Sequence, residues 1–224
     1  TGNIYVYEVA NEATKPMIAS AFAKFTLGPS LEETSKLGPL VSAVQRDRVK
    51  AFIKQGIAEG AEVIAGGDVD AGFEKGFFVQ PTALRVQPND TLAREEIFGP
   101  VLPIVVIENA AAAIAYVNQK PNPLALYWFG KNKKHLQEVL QETRSGGVTV
   151  NDVFLHATVE TLPFGGVGAS GMGNYHGKAG FDTFSHKKSI LDVRGFLGTN
   201  LLKGTKPARP PYGKKTERLL RRLK

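Results

Sequence analysis

The chain has 224 residues, 42% hydrophobic and 22% charged, an ordinary globular balance that allows one large α/β domain or two small ones. It contains no cysteine, which excludes disulfides, thiolate metal sites and thiol catalysis by its own residues. Its net charge of +7 is concentrated: residues 203–224 hold nine basic residues against Glu217, a net +8, which leaves −1 for the first 202. That distribution argues against nucleic acid as a partner, because a nucleic-acid face spreads its basic residues over the fold. No apolar run approaches the roughly 20 residues that span a bilayer. The first residues lack the basic flank and apolar core of a leader, so the cytoplasm is the default expectation.

Residues 4–7 form a β-branched and aromatic run, a predicted strand. Asn11 serves as N-cap for a helix with Ile18, Ala21, Phe22 and Phe25 at helical spacing. After a loop over 28–40, Ser42 and Gln45 stand as a capping box, hydroxyl and amide each satisfying an orphan backbone donor. The helix they open carries Val49, Phe52, Ile53 and Ile57 on one face and stops at Gly60. Then come a strand at 63–65, an extended segment over 77–86 interrupted by Pro81, and alternating elements: strand 102–107, helix 109–118, strand 124–129, helix 131–142, strand 147–150. Strands separated by helices imply parallel pairing, since parallel neighbours need a crossover. The near-continuous apolar strands imply helices on both sheet faces. The expectation is an α/β fold, three-layer αβα, with a mostly parallel sheet, over residues 1–195, and a basic tail over 196–224.

Four stretches carry candidate chemistry. Glu95, Glu96, Ile97, Phe98, Gly99 and Pro100 precede a buried strand. A carboxylate near a turn can accept two hydrogen bonds from a vicinal diol, as in ribose recognition, and an aromatic ring two residues on can wall a flat heterocycle. Read from periodicity alone, the same residues are solvated carboxylates and a core phenylalanine. Gly166, Gly168 and Gly171 match a Gly-x-Gly-x-x-Gly fingerprint, with Asp192 about twenty residues on. That reading fails: Pro163 precedes the glycines, no helix opens after them, and too little chain follows for a βαβ unit. A tight loop whose glycines allow close backbone approach fits better. The strand at 147–150 runs into Asn151, Asp152, Val153, Phe154, Leu155 and His156, and α/β folds place ligand contacts at such strand ends. The four histidines, His135, His156, His176 and His186, show no metal-ligand spacing and read as structural or surface residues. In the tail, Leu219, Leu220 and Leu223 share a helical face ringed by Arg and Lys. Such a helix more often docks on protein than on a membrane surface, since one short basic patch rarely anchors alone.

The Glu95–Pro100 segment, together with Thr161, Leu162, Pro163, Phe164, Gly165, Gly166, Val167, Gly168, Ala169, Ser170 and Gly171, resembles the paired signature in the C-terminal half of the aldehyde dehydrogenase superfamily. The likeness covers about residues 4–190. Residues 145–191 look like the class 3 and coniferyl-aldehyde branch, which favours aromatic and medium or long aliphatic aldehydes, whereas 37–67 look like the class 1 and 2 pattern. The resemblance implies a fold like that family's catalytic domain, truncated at its N-terminus. It implies that Glu96 holds the nicotinamide ribose and Phe98 packs beside the nicotinamide of NAD or NADP, and that Phe164, with Asn151 and His156, lines the substrate pocket. In that family a cysteine thiolate attacks the aldehyde, hydride passes to the nicotinamide, and activated water hydrolyses the thioester. The cysteine, the general-base glutamate and most of the cofactor domain would lie upstream of Thr1. This chain is therefore expected to hold no catalytic residue of its own and no metal. It is expected to be an inactive fragment that needs an N-terminal cofactor domain as partner and forms a homo-oligomer when intact. The alternative is a non-catalytic assembly module that retains the fold.

Overall fold

The strand β5 (Ala125–Phe129) explains the first of two sheets. Ala125, Leu126, Tyr127 and Trp128 are each at most 3% exposed, which requires cover on both faces and at both edges. The edges are β1 (Asn3–Tyr7) and β6 (Gly147–Val150), both parallel to β5; Asn3 stands opposite Ala125, and Trp128 opposite Val150. Helices α4 (Ala110–Asn118) and α5 (Lys133–Glu142) supply the covering face, burying Ile114, Val117 and Val139 against Leu126 and Trp128. Each starts on an asparagine cap: Asn109 accepts from the Ala112 N–H at 2.9 Å, and Asn132 from those of Lys134 and His135 at 3.0 and 3.3 Å. The computed structural model describes residues 3–7, 14–69, 76–190, 210 and 212–222. The Asn11 cap and Leu223 lie outside the described residues.

The second sheet is β2 (Glu62–Ala65), β3 (Thr82–Arg85) and β4 (Val101–Ile104), in that order. β3 and β4 are parallel, but β2 runs antiparallel to β3, the one departure from a wholly parallel pattern among these pairings. The expected strand at 102–107 closes early, at Ile104, and the expected extended segment at 77–86 is a strand only over Thr82–Arg85. The first helix, α1 (Thr14–Phe22), is tied to this sheet by Lys15, whose ammonium bonds both carboxylate oxygens of Glu62 at 2.7 and 2.8 Å. Covering the sheet is α2 (Ala43–Ala58), capped by the Ser42 hydroxyl accepting from the Gln45 N–H at 3.2 Å. Val49 and Ile53 on its buried face meet Val79, Leu84, Val86, Leu92 and Ile97; Leu92 belongs to the one-turn helix α3 (Thr91–Arg94).

Three further helices complete the described elements: α6 (Leu155–Thr158), α7 (Gly177–Thr183) and α8 (Lys214–Arg222). The chain divides into two compact units, Thr1–Thr183 and Phe184–Lys224, so both sheets belong to the first. No helix among the described residues is long and apolar enough to cross a membrane.

Candidate active site

Four non-glycine residues among those described adopt positive φ: Phe98 at 53°, Asn151 at 57°, Phe154 at 65° and His176 at 79°. Phe98, Asn151 and Phe154 fall in segments that the sequence marks as candidate chemistry, whereas His176 was read there as structural or surface. A left-handed backbone is unfavourable for bulky side chains, so such residues persist only where their surroundings over-determine them.

Phe98 sits between two buried fixtures. Ile97 is 6% exposed and packs into the core under α2, while the Phe98 ring stands 78% exposed, too open for the core anchor that periodicity alone allows. Gly99 then passes directly over Val49: a Cβ at position 99 would lie 2.6 Å from Val49 Cγ2, and Val49 has no exposed surface through which to yield. Past Gly99 the chain joins the sheet, where the Thr82 N–H donates to Pro100 O at 2.9 Å. Glu95 and Glu96 are exposed. The loop is thus a rigid spur that offers a carboxylate and an aromatic face two residues apart.

The second group forms where the segment after β6 folds back over that strand, with His156 against Gly147 and Gly165 against Gly146. Tyr5 stacks on Tyr127 at 4.9 Å, Tyr127 meets His156 at 5.9 Å, and His156 meets Phe164 at 5.7 Å. Tyr175 and His176 close on Phe164 from the far side, at 5.6 and 6.1 Å. Phe164 and Tyr175 also exchange backbone hydrogen bonds, Phe164 N–H to Tyr175 O at 3.0 Å and Tyr175 N–H to Phe164 O at 2.9 Å. Phe164 is therefore locked in a column of rings. Beside it runs an open groove of about 410 Å³ lined by Ser145, Gly146, Gly166, Gly168, Met172 and Asn174. A second cleft of similar size, among Ala19, Phe22, Phe25, Leu27, Gln80 and Pro81, lies between α1 and the second sheet. None of Glu96, Phe98, Phe164, Asn151 and His156 lines either cleft.

His156 is 8% exposed and lies against β6; a Cβ at Gly147 would come within 2.4 Å of its Cδ2. Its Nδ1 is 2.7 Å from the Thr149 hydroxyl, and its Nε2 is buried without a partner among the described residues. Burial holds the imidazole below its ordinary pKa, because the charged form loses its hydration. The unfolded chain takes up this proton first as pH falls, so His156 contributes stability in full above its unfolded value. That contribution declines as pH drops from about 6.5 toward the depressed folded value. His156→Gln is expected to flatten the pH dependence of the urea midpoint through that window. An unchanged slope would show that the imidazole is not desolvated.

The structure brings His156 and Phe164 into contact and keeps Glu96 and Phe98 on a separate loop; no ring contact among the described residues joins Phe98 to Phe164. Asn151 turns aside. Its Oδ1 accepts from the Gly130 N–H at 2.9 Å and its own N–H donates to Trp128 O at 2.7 Å, which closes the end of the sheet. Tyr175 and His176, which meet Phe164, and Tyr127, which meets His156, were not singled out as site residues in the sequence; nor were Arg48 of α2 and Gln45, which read only as a cap. The only sequence signal for the latter is two polar residues three apart beside an apolar helical face. Among the described residues no three of the ligating types gather into a set that could hold a metal ion.

The described residues thus combine an α/β frame of one parallel and one mixed sheet with an exposed carboxylate–aromatic spur and a column of packed rings. The chain belongs to the aldehyde dehydrogenase family, whose model matches residues 1–190. It is 49% identical over 150 residues to aldehyde dehydrogenase family 3 member A2 of Mus musculus, 66% of this chain and 30% of that protein. It is 38% identical over 195 residues to a probable coniferyl aldehyde dehydrogenase of Pseudomonas aeruginosa, 87% of this chain and 39% of the relative. Among solved structures, an NAD+ complex of an aldehyde dehydrogenase from Bacillus cereus superposes with a TM-score of 0.75 at 33% identity, covering 84% of this chain and 38% of that one. The chain thus spans between 30% and 39% of the length of these relatives.

Proposed function

We propose that this chain is the part of an NAD(P)-dependent aldehyde dehydrogenase that presents the nicotinamide riboside and walls the aldehyde pocket. The enzyme would oxidise aldehydes, aromatic or of medium to long chain, to carboxylic acids. The observation that carries the reading is the spur: an exposed aromatic ring held in a left-handed backbone, two residues from an exposed carboxylate. Those groups fit a nicotinamide riboside, since the Glu96 carboxylate can accept from both ribose hydroxyls and the Phe98 face can pack on the ring. When bound, the dinucleotide accepts the hydride released by the aldehyde carbon. Glu96 would fix the ribose, Phe98 would exclude water from one face of the nicotinamide, and Phe164 would present an immobile apolar wall to the aldehyde's substituent. Asn151 would act from the loop at the end of β6, and His156 from beneath Phe164.

With no cysteine, the chain supplies no nucleophile for this reaction and is expected to be inactive alone. The nucleophile, the general base and the rest of the cofactor cradle would come from a segment that the longer relatives carry. The likeness to the coniferyl aldehyde dehydrogenase supports an aromatic substrate, and the NAD+ complex of the Bacillus cereus relative supports a nicotinamide cofactor. A cytoplasmic homo-oligomer completes the proposal. The test is complementation: mix this chain with the separately produced N-terminal portion of the Pseudomonas aeruginosa relative and follow aldehyde-dependent NADH formation. Activity is expected only in the mixture. Two halves that co-elute on size exclusion yet give no NADH would count against the reading.

A further inference from the structure

We propose that Glu59 and Lys120 are positioning residues that act through α3: each holds one end of that single turn, and together they fix where the spur begins and so where the Glu96 carboxylate stands. The inference rests on the reading of Glu96 given above.

A helix of four residues does not hold itself, since a first turn fixes several residues for one hydrogen bond, here Glu95 N–H to Thr91 O at 3.0 Å. Asp90, the residue placed to cap it, makes no cap bond; its carboxylate accepts instead from the Gln87 N–H at 2.7 Å. The cap comes from the far end of α2. Glu59 Oε2 accepts from the Thr91 N–H at 2.9 Å, and Oε1 accepts from the Thr91 hydroxyl at 2.7 Å. Gln55 closes the set, its Nε2 donating to Glu59 Oε1 at 2.9 Å and to Thr91 Oγ1 at 3.0 Å. A carboxylate suits this end of a helix, where backbone N–H groups have no partner within the turn.

The opposite end is held from the layer that covers the other sheet. Lys120, just past α4, donates from Nζ to Ala93 O at 2.9 Å, with its ammonium 4.7 Å from the centre of the Tyr116 ring. An ammonium suits a helix's carbonyl end for the same reason that a carboxylate suits the other. Between the two charges α3 is seated on α2. Leu92 is 1% exposed, and a Cβ at Gly56 would lie 2.1 Å from Leu92 Cδ1, so the close approach requires a glycine in the middle of a helix that otherwise disfavours it. The chain leaves α3 at Glu95 and reaches Glu96 one residue later. Arg48 and Gln45 hold the carbonyls of residues 96–98, which leaves the approach to Glu96 to be set by α3.

The test uses the chain itself, with two readouts: hydrogen exchange of the peptide over residues 91–98, and binding of nicotinamide mononucleotide by saturation-transfer NMR. Glu59→Gln keeps the shape and loses one acceptor; Lys120→Met keeps the length and loses the donor. Each is expected to speed exchange of that peptide by about tenfold and to weaken mononucleotide binding by a similar factor, with exchange in β5 unchanged. Lys120→Arg, which retains a cationic donor, is expected to restore both readouts. Unchanged exchange in Glu59→Gln and Lys120→Met overturns the proposal. So does faster exchange with undiminished binding, which would make α3 a structural turn and nothing more, and so does an Lys120→Arg variant as impaired as Lys120→Met. Glu96→Gln separates the two layers of the argument: it should weaken mononucleotide binding and leave exchange over 91–98 alone. If it leaves binding intact, or if the unsubstituted chain binds no mononucleotide, the site reading fails, while exchange still decides whether the two charges hold α3.

Discussion

Leu126→Ala is expected to destabilise the chain by about 2–5 kcal/mol, read as a fall in the urea midpoint followed by Trp128 fluorescence. Leu126 has no exposed surface and packs with Ile114, Val117, Trp128 and Val139 under two helices, so the vacated volume can be refilled only by moving elements. β5 is the central strand of its sheet, and its loss would release β1 on one side and β6 on the other. The consequence for function follows from topology: β6 leads into Asn151 and His156, and His156 supports Phe164. Trp128 is the only tryptophan, so one probe reports on this core. A loss below about 1 kcal/mol would mean that the strand is not the keystone its burial implies.

Phe98→Gly is expected to have effects of opposite sign on stability and on binding. The ring is 78% exposed, so removing it forfeits little burial. The left-handed backbone costs a bulky residue about 1–3 kcal/mol, which glycine would not incur. Glycine's extra freedom in the unfolded chain takes back roughly 0.5–1 kcal/mol. The urea midpoint should therefore hold or rise, while binding of nicotinamide mononucleotide weakens. A residue whose removal stabilises the fold is retained for another reason, the usual signature of a site. If Phe98→Gly instead destabilises by more than about 1 kcal/mol, the ring is a packing group and its backbone is not strained.

Gln45 shows where reading the sequence succeeds and where it stops. Ser42 and Gln45 read as a reciprocal capping box, and half of it exists: the Ser42 hydroxyl accepts from the Gln45 N–H. The returning bond is absent because the Gln45 amide reaches residue 98, fifty-three positions away. A cap is a local matter and a clamp is not. The antiparallel β2 has the same lesson, since its pairing depends on where the chain after Ala65 returns, and no spacing rule encodes that. Asn151 was legible as a residue at a strand end; that its side chain closes on Gly130 was not.

Composition, periodicity and capping residues determined, by themselves, that this is an α/β chain and where most of its helices and strands lie, while the two candidate motif segments stood out only through the family resemblance. They could do so because those features depend on neighbours within a few residues, where backbone geometry leaves few choices. Only the tertiary structure decided that Phe98 leaves the core while Ile97 enters it, that α2 holds the spur by three carbonyls, and that Phe164 is fixed in a column of rings drawn from β1, β5 and the segments after β6. Most of those contacts join residues far apart in the sequence, Tyr5 with Tyr127 and Gln45 with Phe98 among them, and their geometry is set by close packing and by the pairing of backbone carbonyls.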